Sequence, residues 1–435
     1  MNIRELVYKS LFSSEKDKKY SNIELSSKIN ANNLSGTDRA FFTSLFYGVT
    51  EKKITLDYFI KQYSSIPFSR LDLSAIILLR MGMYQILYMD KIPDSAAVNE
   101  TVKIASRYSS RSKAFINAVL RKFSSEKNNL IYPDDVCNHI ERLSVQYSIP
   151  TWICELWEKD YPNNAENIIK ELSLNRPITF RVNSLRTDCD SITAKYDNIS
   201  KCEYSPYGIR LSKPIPVSEF QPLINGDCFV QDEASQIAGL VLNPSENQII
   251  IDACCAPGGK SFGAAMLTND KAEIISCDVH ENKLSLVKKE AEKLGIKSIK
   301  TFTHDSTSAM SEYIGKVDRV VCDVPCSGLG VISKKSDIKY KDEKSIEDID
   351  KIQYDILSAS SKYLKDGGIL LYSTCTLRKK ENEDVVEKFL NANPEFSLLP
   401  FEYGNIISDS GMLTLFPNIY HTDGFFMAKI IKNKQ

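Results

Sequence analysis

Histidine and tryptophan are scarce in this chain, at four and two residues among 435. Cysteine is more plentiful, at 11, but no two cysteines stand in a Cys-x-x-Cys spacing. Few histidines and no paired cysteines argue against a zinc centre, and an odd, scattered set argues against a disulfide framework. No metal is therefore expected, and the free thiols point to a reducing, cytoplasmic setting. Long apolar runs are also missing. The nearest, "RLDLSAIILLRMGMYQILYM", is interrupted by Arg70, Asp72 and Arg80, so no membrane span is expected. The opening "MNIRELVYKSLF" has early charge without an apolar core and is not read as a signal peptide.

What is present is the composition of a soluble globular protein, 43% apolar and 26% charged. The length predicts two or three domains. The formal net charge of −1 conceals a division: residues 1–130 hold 20 Lys and Arg against 12 Asp and Glu, and the remainder holds 35 against 44. In "KIASRYSSRSKAFINAVLRKF", Lys103, Arg107 and Arg111 recur every four residues and would share one face of a helix. Such a stripe is the footprint of a nucleic-acid binder or simply a solvated face, and both readings stand at this point.

Residues 1–130 read as nearly all helix, with helical apolar spacing in "DRAFFTSLFYGVTEKKITLDYFIKQY" and a Pro-Asp-Ser helix start at "PDSAAVNETVKIASRY". A polar stretch, "SSEKNNLIYPDD", reads as a linker. Residues 137–230 are mixed, one helical piece followed by short β-rich runs, and predict a small α+β domain. From 231 to 435 strands alternate with helices. "NQIIIDAC", "AEIISCDV", "SIKTFTHD", "VDRVVCDV" and "GGILLYSTC" are the strands, and Leu284, Val287, Ala291 and Leu294 form the apolar stripe of a helix stopped by Gly295. This alternation predicts a parallel sheet with helices on both faces, an α/β Rossmann-like domain with its ligands at the carboxyl ends of the strands.

The stretch "DACCAPGGKS" follows the first of those strands. Its Gly-Lys-Ser suggests a phosphate loop, but that pattern requires glycine at position 254, which is Cys254. Gly258 and Gly259 permit a tight turn and close approach of a ligand to backbone. The second strand ends in Asp278, where a doubly wound fold puts an acid to grip a ribose, and the third ends in Asp305. The arrangement suits an adenosine compound. Absence of a Gly-x-Gly-x-x-Gly pattern favours S-adenosylmethionine over a nicotinamide. The fourth and fifth strands end in "CDVPCSGLG" and "LYSTCTL", so Asp323, Cys326 and Cys375 are expected to face the same crevice.

"DACCAPGGKS", "DVPCSGLGV" and "STCTL" together resemble the cytosine-5 RNA methyltransferases of the Sun/Nop2 family. Within it the resemblance is to the RsmB-type enzymes of small-subunit (16S) ribosomal RNA, which join an all-α NusB-like domain to a class I methyltransferase. "AFINAVLRKF" is similar to the last NusB-like helix and "HTDGFFMAKI" to the closing strand. The departures are Ser261 where threonine is common and Val324 where alanine is common. The resemblance implies Cys375 as the nucleophile that adds to carbon 6 of cytosine, Cys326 as the residue assisting product release, and Asp323 as the contact to N3. It assigns Cys254, Cys255, Ala256, Pro257, Gly258, Gly259, Lys260, Asp278, Asp305 and Asp323 to S-adenosylmethionine, with Lys260 also reaching toward the active-site acid or the substrate. The residues alone do not tell the two cysteines apart. Lys334, Lys335, Lys339 and Lys341 in "KKSDIKYKDEK", with Lys103, Arg107 and Arg111, are expected on RNA phosphates, and the chain is expected to act as a monomer. Two rivals stay open: the same chemistry on transfer RNA or the large subunit, and a non-catalytic NusB-like assembly factor.

Overall fold

The computed structural model describes residues 2–17, 32, 34, 36–134, 138–212 and 219–434. It divides into two compact units, Met1–Ser173 with Lys335–Lys341, and Leu174–Lys334 with Asp342–Gln435. The domain break expected at residue 137 lies outside the described residues. The helical piece after it belongs with the first unit, so the division by packing falls near Ser173 instead.

The first unit is helical: α1 (Ile3–Asp17), α2 (Gly36–Glu51), α3 (Lys53–Tyr63), α4 (Leu73–Tyr88), α5 (Asp94–Tyr108), α6 (Lys113–Glu126), α7 (His139–Tyr147), α8 (Thr151–Asp160) and α9 (Ala165–Leu172). The apolar run that stops short of a membrane span is α4, the central helix, with Ile77, Leu78, Leu79, Met81 and Met83 buried. Asp72 caps it by accepting the Ala75 N–H at 2.8 Å. The charge inside it, Arg80, is neutralised in place: Nε and Nη2 donate to the two oxygens of Asp57 at 2.6 and 2.7 Å, and Nη1 donates to Glu15 at 3.0 Å. Among the described residues no helix is long and apolar enough to cross a membrane.

In the second unit β1 (Thr179–Val182), β2 (Ile199–Lys201), β3 (Gly208–Leu211) and β4 (Cys228–Val230) form an antiparallel sheet of order β2-β3-β1-β4. The helix α10 (Glu233–Leu242) leads into the larger layer. There β5 (Ile249–Asp252), α11 (Gly259–Leu267), β6 (Glu273–Asp278), α12 (Glu281–Leu294), β7 (Ile299–Thr303), β8 (Val317–Asp323), α13 (Ile349–Ser361) and β9 (Leu364–Thr374) follow in turn. α14 (Glu383–Ala392), β10 (Phe396–Leu398), β11 (Phe401–Tyr403), β12 (Ile406–Ser408), β13 (Met412–Leu415) and β14 (Phe425–Lys432) complete the chain. The sheet runs β10-β14-β9-β8-β5-β6-β7, with β13 also on β14. The five expected strands are β5 to β9, all parallel. The sheet is nevertheless mixed rather than parallel throughout, because β14 returns antiparallel to β9. On α12 the expected stripe Leu284, Val287, Ala291 and Leu294 is buried, and Gly295 caps the helix at φ 77°.

Lys335–Lys341 packs with the helices, although its neighbours in the chain belong to the second unit. Lys339 is 4% exposed, its ammonium donating to the carbonyls of Glu51 and Ser148, both at 2.7 Å. The Tyr340 hydroxyl donates to the Thr50 carbonyl at 2.8 Å. Burial pushes the Lys339 pKa down to about 7, the charge of Glu51 opposing the fall and that of Lys52 adding to it. A lysine whose folded pKa lies below its unfolded one costs stability most at low pH, and the cost falls as pH rises toward the unfolded value. Between pH 7 and 9, wild type should therefore gain stability relative to Lys339→Met by up to about 2 kcal/mol, at no more than about 1.4 kcal/mol per pH unit. Urea unfolding of both proteins at the two pH values measures it, and parallel curves would show that the folded lysine stays charged.

Candidate active site

The strand order reverses at β5, which pairs with β6 on one side and β8 on the other. The crevice beyond the carboxyl ends of the strands opens at such a point. Asp252 closes β5, and the turn after it is held by Ala253 N–H on the Val321 carbonyl, Cys255 N–H on the Cys277 carbonyl and Gly258 N–H on the Cys255 carbonyl, at 2.9, 2.8 and 2.6 Å. Gly258 sits at φ 108°, and a Cβ there would lie 2.3 Å from the Phe262 ring, so the turn presents bare backbone into α11. Ser261, the residue in a threonine position, donates to Asp252 at 2.6 Å and lies 2.7 Å from the Ser276 hydroxyl. Burial pushes the Asp252 carboxyl up to about 7, against the Ser261 hydrogen bond.

Asp278 ends β6 almost buried, its Oδ1 accepting the His280 N–H at 2.9 Å. Among the described residues Oδ2 carries no hydrogen bond. Asp305 lies in the exposed turn after β7 and accepts the N–H and hydroxyl of Thr307 at 3.0 and 2.8 Å. Asp323 ends β8. Its Oδ2 is 2.6 Å from the Lys260 ammonium, and its Oδ1 accepts from the Ser373 hydroxyl at 2.8 Å. Lys260 also donates to Ser235 of α10 at 3.0 Å and lies over the Phe425 ring. It is thus turned onto the strand-end acid.

Cys326 and Cys375 meet, their sulfurs 3.1 Å apart, too long for a disulfide and within hydrogen-bonding reach. The two loops that carry them are tied at several points. The Ser327 and Thr376 hydroxyls are 2.7 Å apart, and the Gly330 N–H donates to the Cys375 carbonyl at 3.0 Å. A Cβ on Gly330 would lie 2.0 Å from the Gly424 carbonyl oxygen, so only glycine admits the chain before β14 this close. The Cys326 thiol is pushed well above the usual thiol range, first by its hydrogen bond with Cys375, then by burial and by the charges of Cys375 and Glu381.

Residues not expected from the sequence also build the site. Ser235, Ser373 and Phe425 flank Lys260 and Asp323, and Gln353 and Glu381 lie under the Cys326 turn. Only Ser373, in "STC", carried a local signal; Glu381 stands in "RKKENED", which reads as a solvated charged run. Two of the lysines expected on RNA are otherwise engaged. Lys339 is buried on backbone carbonyls in the helical unit, and the Lys334 ammonium is clamped by Asp232 and Asp423 at 2.5 and 2.9 Å. Lys339 is closed off from a phosphate by its burial, and the Lys334 charge is already matched by two carboxylates. Lys335 is exposed. The stripe of Lys103, Arg107 and Arg111 is broken, because α5 ends at Tyr108 and Arg111 falls in a separate 3-10 turn. Lys103 pairs with Glu100 and Arg107 with Glu5, both at 2.6 Å, and Arg111 is exposed.

Three family models match the chain: the NusB family over residues 1–125, the ferredoxin-like domain of RsmF/B-like methyltransferases over 149–218, and the 16S rRNA methyltransferase RsmB/F over 239–431. The chain is 34% identical to a probable ribosomal RNA small subunit methyltransferase B of Bacillus subtilis over 99% of both chains. It is 31% identical to a ribosomal RNA small subunit methyltransferase B of Escherichia fergusonii over 92% of each. The crystal structure of PH0851 superposes with a TM-score of 0.81 at 25% identity, covering 99% of this chain and 98% of that one. With a mixed sheet carrying a proline-cysteine and a threonine-cysteine loop, and relatives matched from end to end, the chain belongs to the RsmB/F family of 16S rRNA methyltransferases, whose methyl donor is S-adenosylmethionine.

Proposed function

We propose that this protein methylates carbon 5 of one cytosine in 16S ribosomal RNA through a covalent adduct between Cys375 and carbon 6. The observation that carries the reading is the pair of sulfurs 3.1 Å apart, on the turns that follow Asp323 and Thr374. Carbon 5 of cytosine is too weak a nucleophile to take a methyl group unaided. Addition of the Cys375 thiolate forms a bond to carbon 6 and moves the ring's π electrons toward carbon 5. Asp323, with Lys260 as its nearest proton source, holds N3 and balances the charge that the addition puts on the ring. After methylation the carbon-5 proton is lost to a base assisted by Cys326, the double bond re-forms, and the Cys375 thiolate leaves. The family resemblance assigns the attack to Cys375, and the raised Cys326 thiol agrees with that division of roles. The target base must leave its stack, since carbon 6 is closed to a thiol in a duplex.

The residues present fit S-adenosylmethionine. Asp278 has a carboxylate oxygen with no hydrogen bond where a ribose diol is gripped in this fold, and the turn from Cys254 to Gly259 is bare at Gly258. When bound, the cofactor supplies an electrophilic sulfonium methyl. Lys260, turned onto Asp323, belongs to the catalytic pair more than to the cofactor. For RNA, Lys335, Lys341 and Arg111 are exposed cations that keep the proposed role, with Lys103 and Arg107 exchanging their carboxylate partners for phosphate. The reducing cytoplasm suits a site that needs two free thiols, and nothing in the chemistry requires a second copy of the chain.

Transfer from labelled S-adenosylmethionine to unmodified 16S rRNA should yield a single 5-methylcytidine by nucleoside mapping. Product on transfer RNA or large-subunit RNA instead would move the substrate, and product on none would favour the assembly factor. Cys375→Ala should lose turnover by at least about 10³-fold while binding S-adenosylhomocysteine with unchanged affinity in calorimetry. Cys326→Ala should accumulate a protein–RNA adduct that survives denaturing gels; turnover without an adduct would remove its release role. Asp278→Ala should raise the KM for S-adenosylmethionine about tenfold, as loss of a charged hydrogen bond costs about 1.5 kcal/mol or more. The KM for RNA should hold steady.

A further inference from the structure

Beneath the Cys326 turn lies a carboxylate with no exposed surface, Glu381. Its Oε2 accepts the N–H of Ser327, the residue after Cys326, at 2.8 Å. The same oxygen accepts from the Gln353 side-chain amide at 3.1 Å, and that amide nitrogen also donates to the carbonyl of Pro325, the residue before Cys326, at 3.0 Å. Cys326 is thus bracketed on both sides by one buried Gln353–Glu381 pair. The bracket is itself held, by the Tyr372 hydroxyl on the Glu381 carbonyl at 2.6 Å and by α13, on which Gln353 is fully buried. Glu381 Oε1 has no hydrogen bond, and the nearest cation is Arg378 at 3.5 Å.

Burying a carboxylate this deeply is costly unless its charge or its acceptors are used. An amide at 381 would accept more weakly from the two donors and place its NH2 against the Arg378 guanidinium, so the bracket is built for an acid. The negative charge adds something else, because it lies beside the Cys326 thiol and opposes its ionisation.

We propose that Glu381, acting with Gln353, is a positioning residue for the release step: it fixes the Cys326 sulfur against the Cys375 adduct. The proposal rests on the reading of Cys326 given above. Glu381 touches neither RNA nor cofactor, and the bonds made and broken remain those of the proposed reaction. Displacement of a reacting group by about 1 Å costs on the order of 10²-fold, and here that cost should fall on release alone.

The test follows product and denaturant-resistant adduct together, with full-length protein, S-adenosylmethionine and unmodified 16S rRNA. Glu381→Gln should form adduct at the wild-type rate, release it about 10- to 100-fold more slowly, and accumulate it as Cys326→Ala does. The basic limb of its release–pH profile should move to lower pH, since the charge opposing Cys326 ionisation has gone. A purely structural role would lower adduct formation and release together, or change neither. Gln353→Met, which cuts the tie to the Pro325 carbonyl but keeps Glu381, should accumulate adduct to a smaller extent, and it carries the test if Glu381→Gln does not fold. Adduct from Cys326→Ala but none from folded, cofactor-binding Glu381→Gln and Gln353→Met would overturn the positioning role alone. No adduct from Cys326→Ala would bring down the reading of Cys326, and this proposal with it.

Discussion

β8 and β9 pair in parallel up to Asp323 and Ser373, and both strands therefore stop at the same edge of the sheet. The Val324 N–H extends that ladder to the Ser373 carbonyl at 3.2 Å, so the turns that follow begin side by side. From this one pairing the two sulfurs come within 3.1 Å of each other. Asp323, on the neighbouring strand end, is fixed by the Ser373 hydroxyl and the Lys260 ammonium. Parallel strands place their carboxyl ends together without any loop having to reach, and rigid strand ends hold reacting groups more closely than loops do.

Buried charge recurs in this protein and is handled in different ways. Arg80 is paired bidentately with Asp57, so its presence in the central helix costs little specificity or stability. Lys339 has only carbonyl partners and bears the desolvation of its ammonium. The carboxylate of Asp423, 5% exposed, is met by the exposed Lys334, which also pairs with Asp232. Glu381 has two neutral donors on one oxygen and none on the other. Only the last of these lies beneath the turn of Cys326, which is why it carries a functional argument and the others a structural one.

The strands and their ends were legible in the sequence because each is a short apolar run closed by an acid or a cysteine turn, from "NQIIIDAC" to "GGILLYSTC". The helical stripe of α12 was legible for the same reason, since its period of about 3.6 residues needs no tertiary information. The direction of β14 was not: "GFFMAKI" has the pattern of a buried strand in either orientation, and β14 is set antiparallel by the antiparallel hairpin it forms with β13. Of the lysines in "KKSDIKYKDEK", Lys339 misled because a charged run reads as solvent-facing. A lysine stem is apolar enough to bury when carbonyls wait at its end, and those lie far away in the chain, at Glu51 and Ser148.

By itself the sequence determined the kinds of element, their order and the groups standing at the strand ends, because local periodicity and turn chemistry are properties of neighbouring residues. It also argued against a disulfide framework, and Cys326 and Cys375 are both free in the fold. Tertiary structure alone decided which of those groups touch. Cys326 and Cys375 are 49 residues apart in the chain, Lys260 of α11 is drawn to Asp323 at the end of β8, and Glu381 reaches back 54 residues to the Ser327 amide. Such contacts depend on strand order and on how α13 and the turn before α14 pack beneath the sheet's edge. No local pattern encodes these, since the free energy that selects them comes from burial shared by the whole domain.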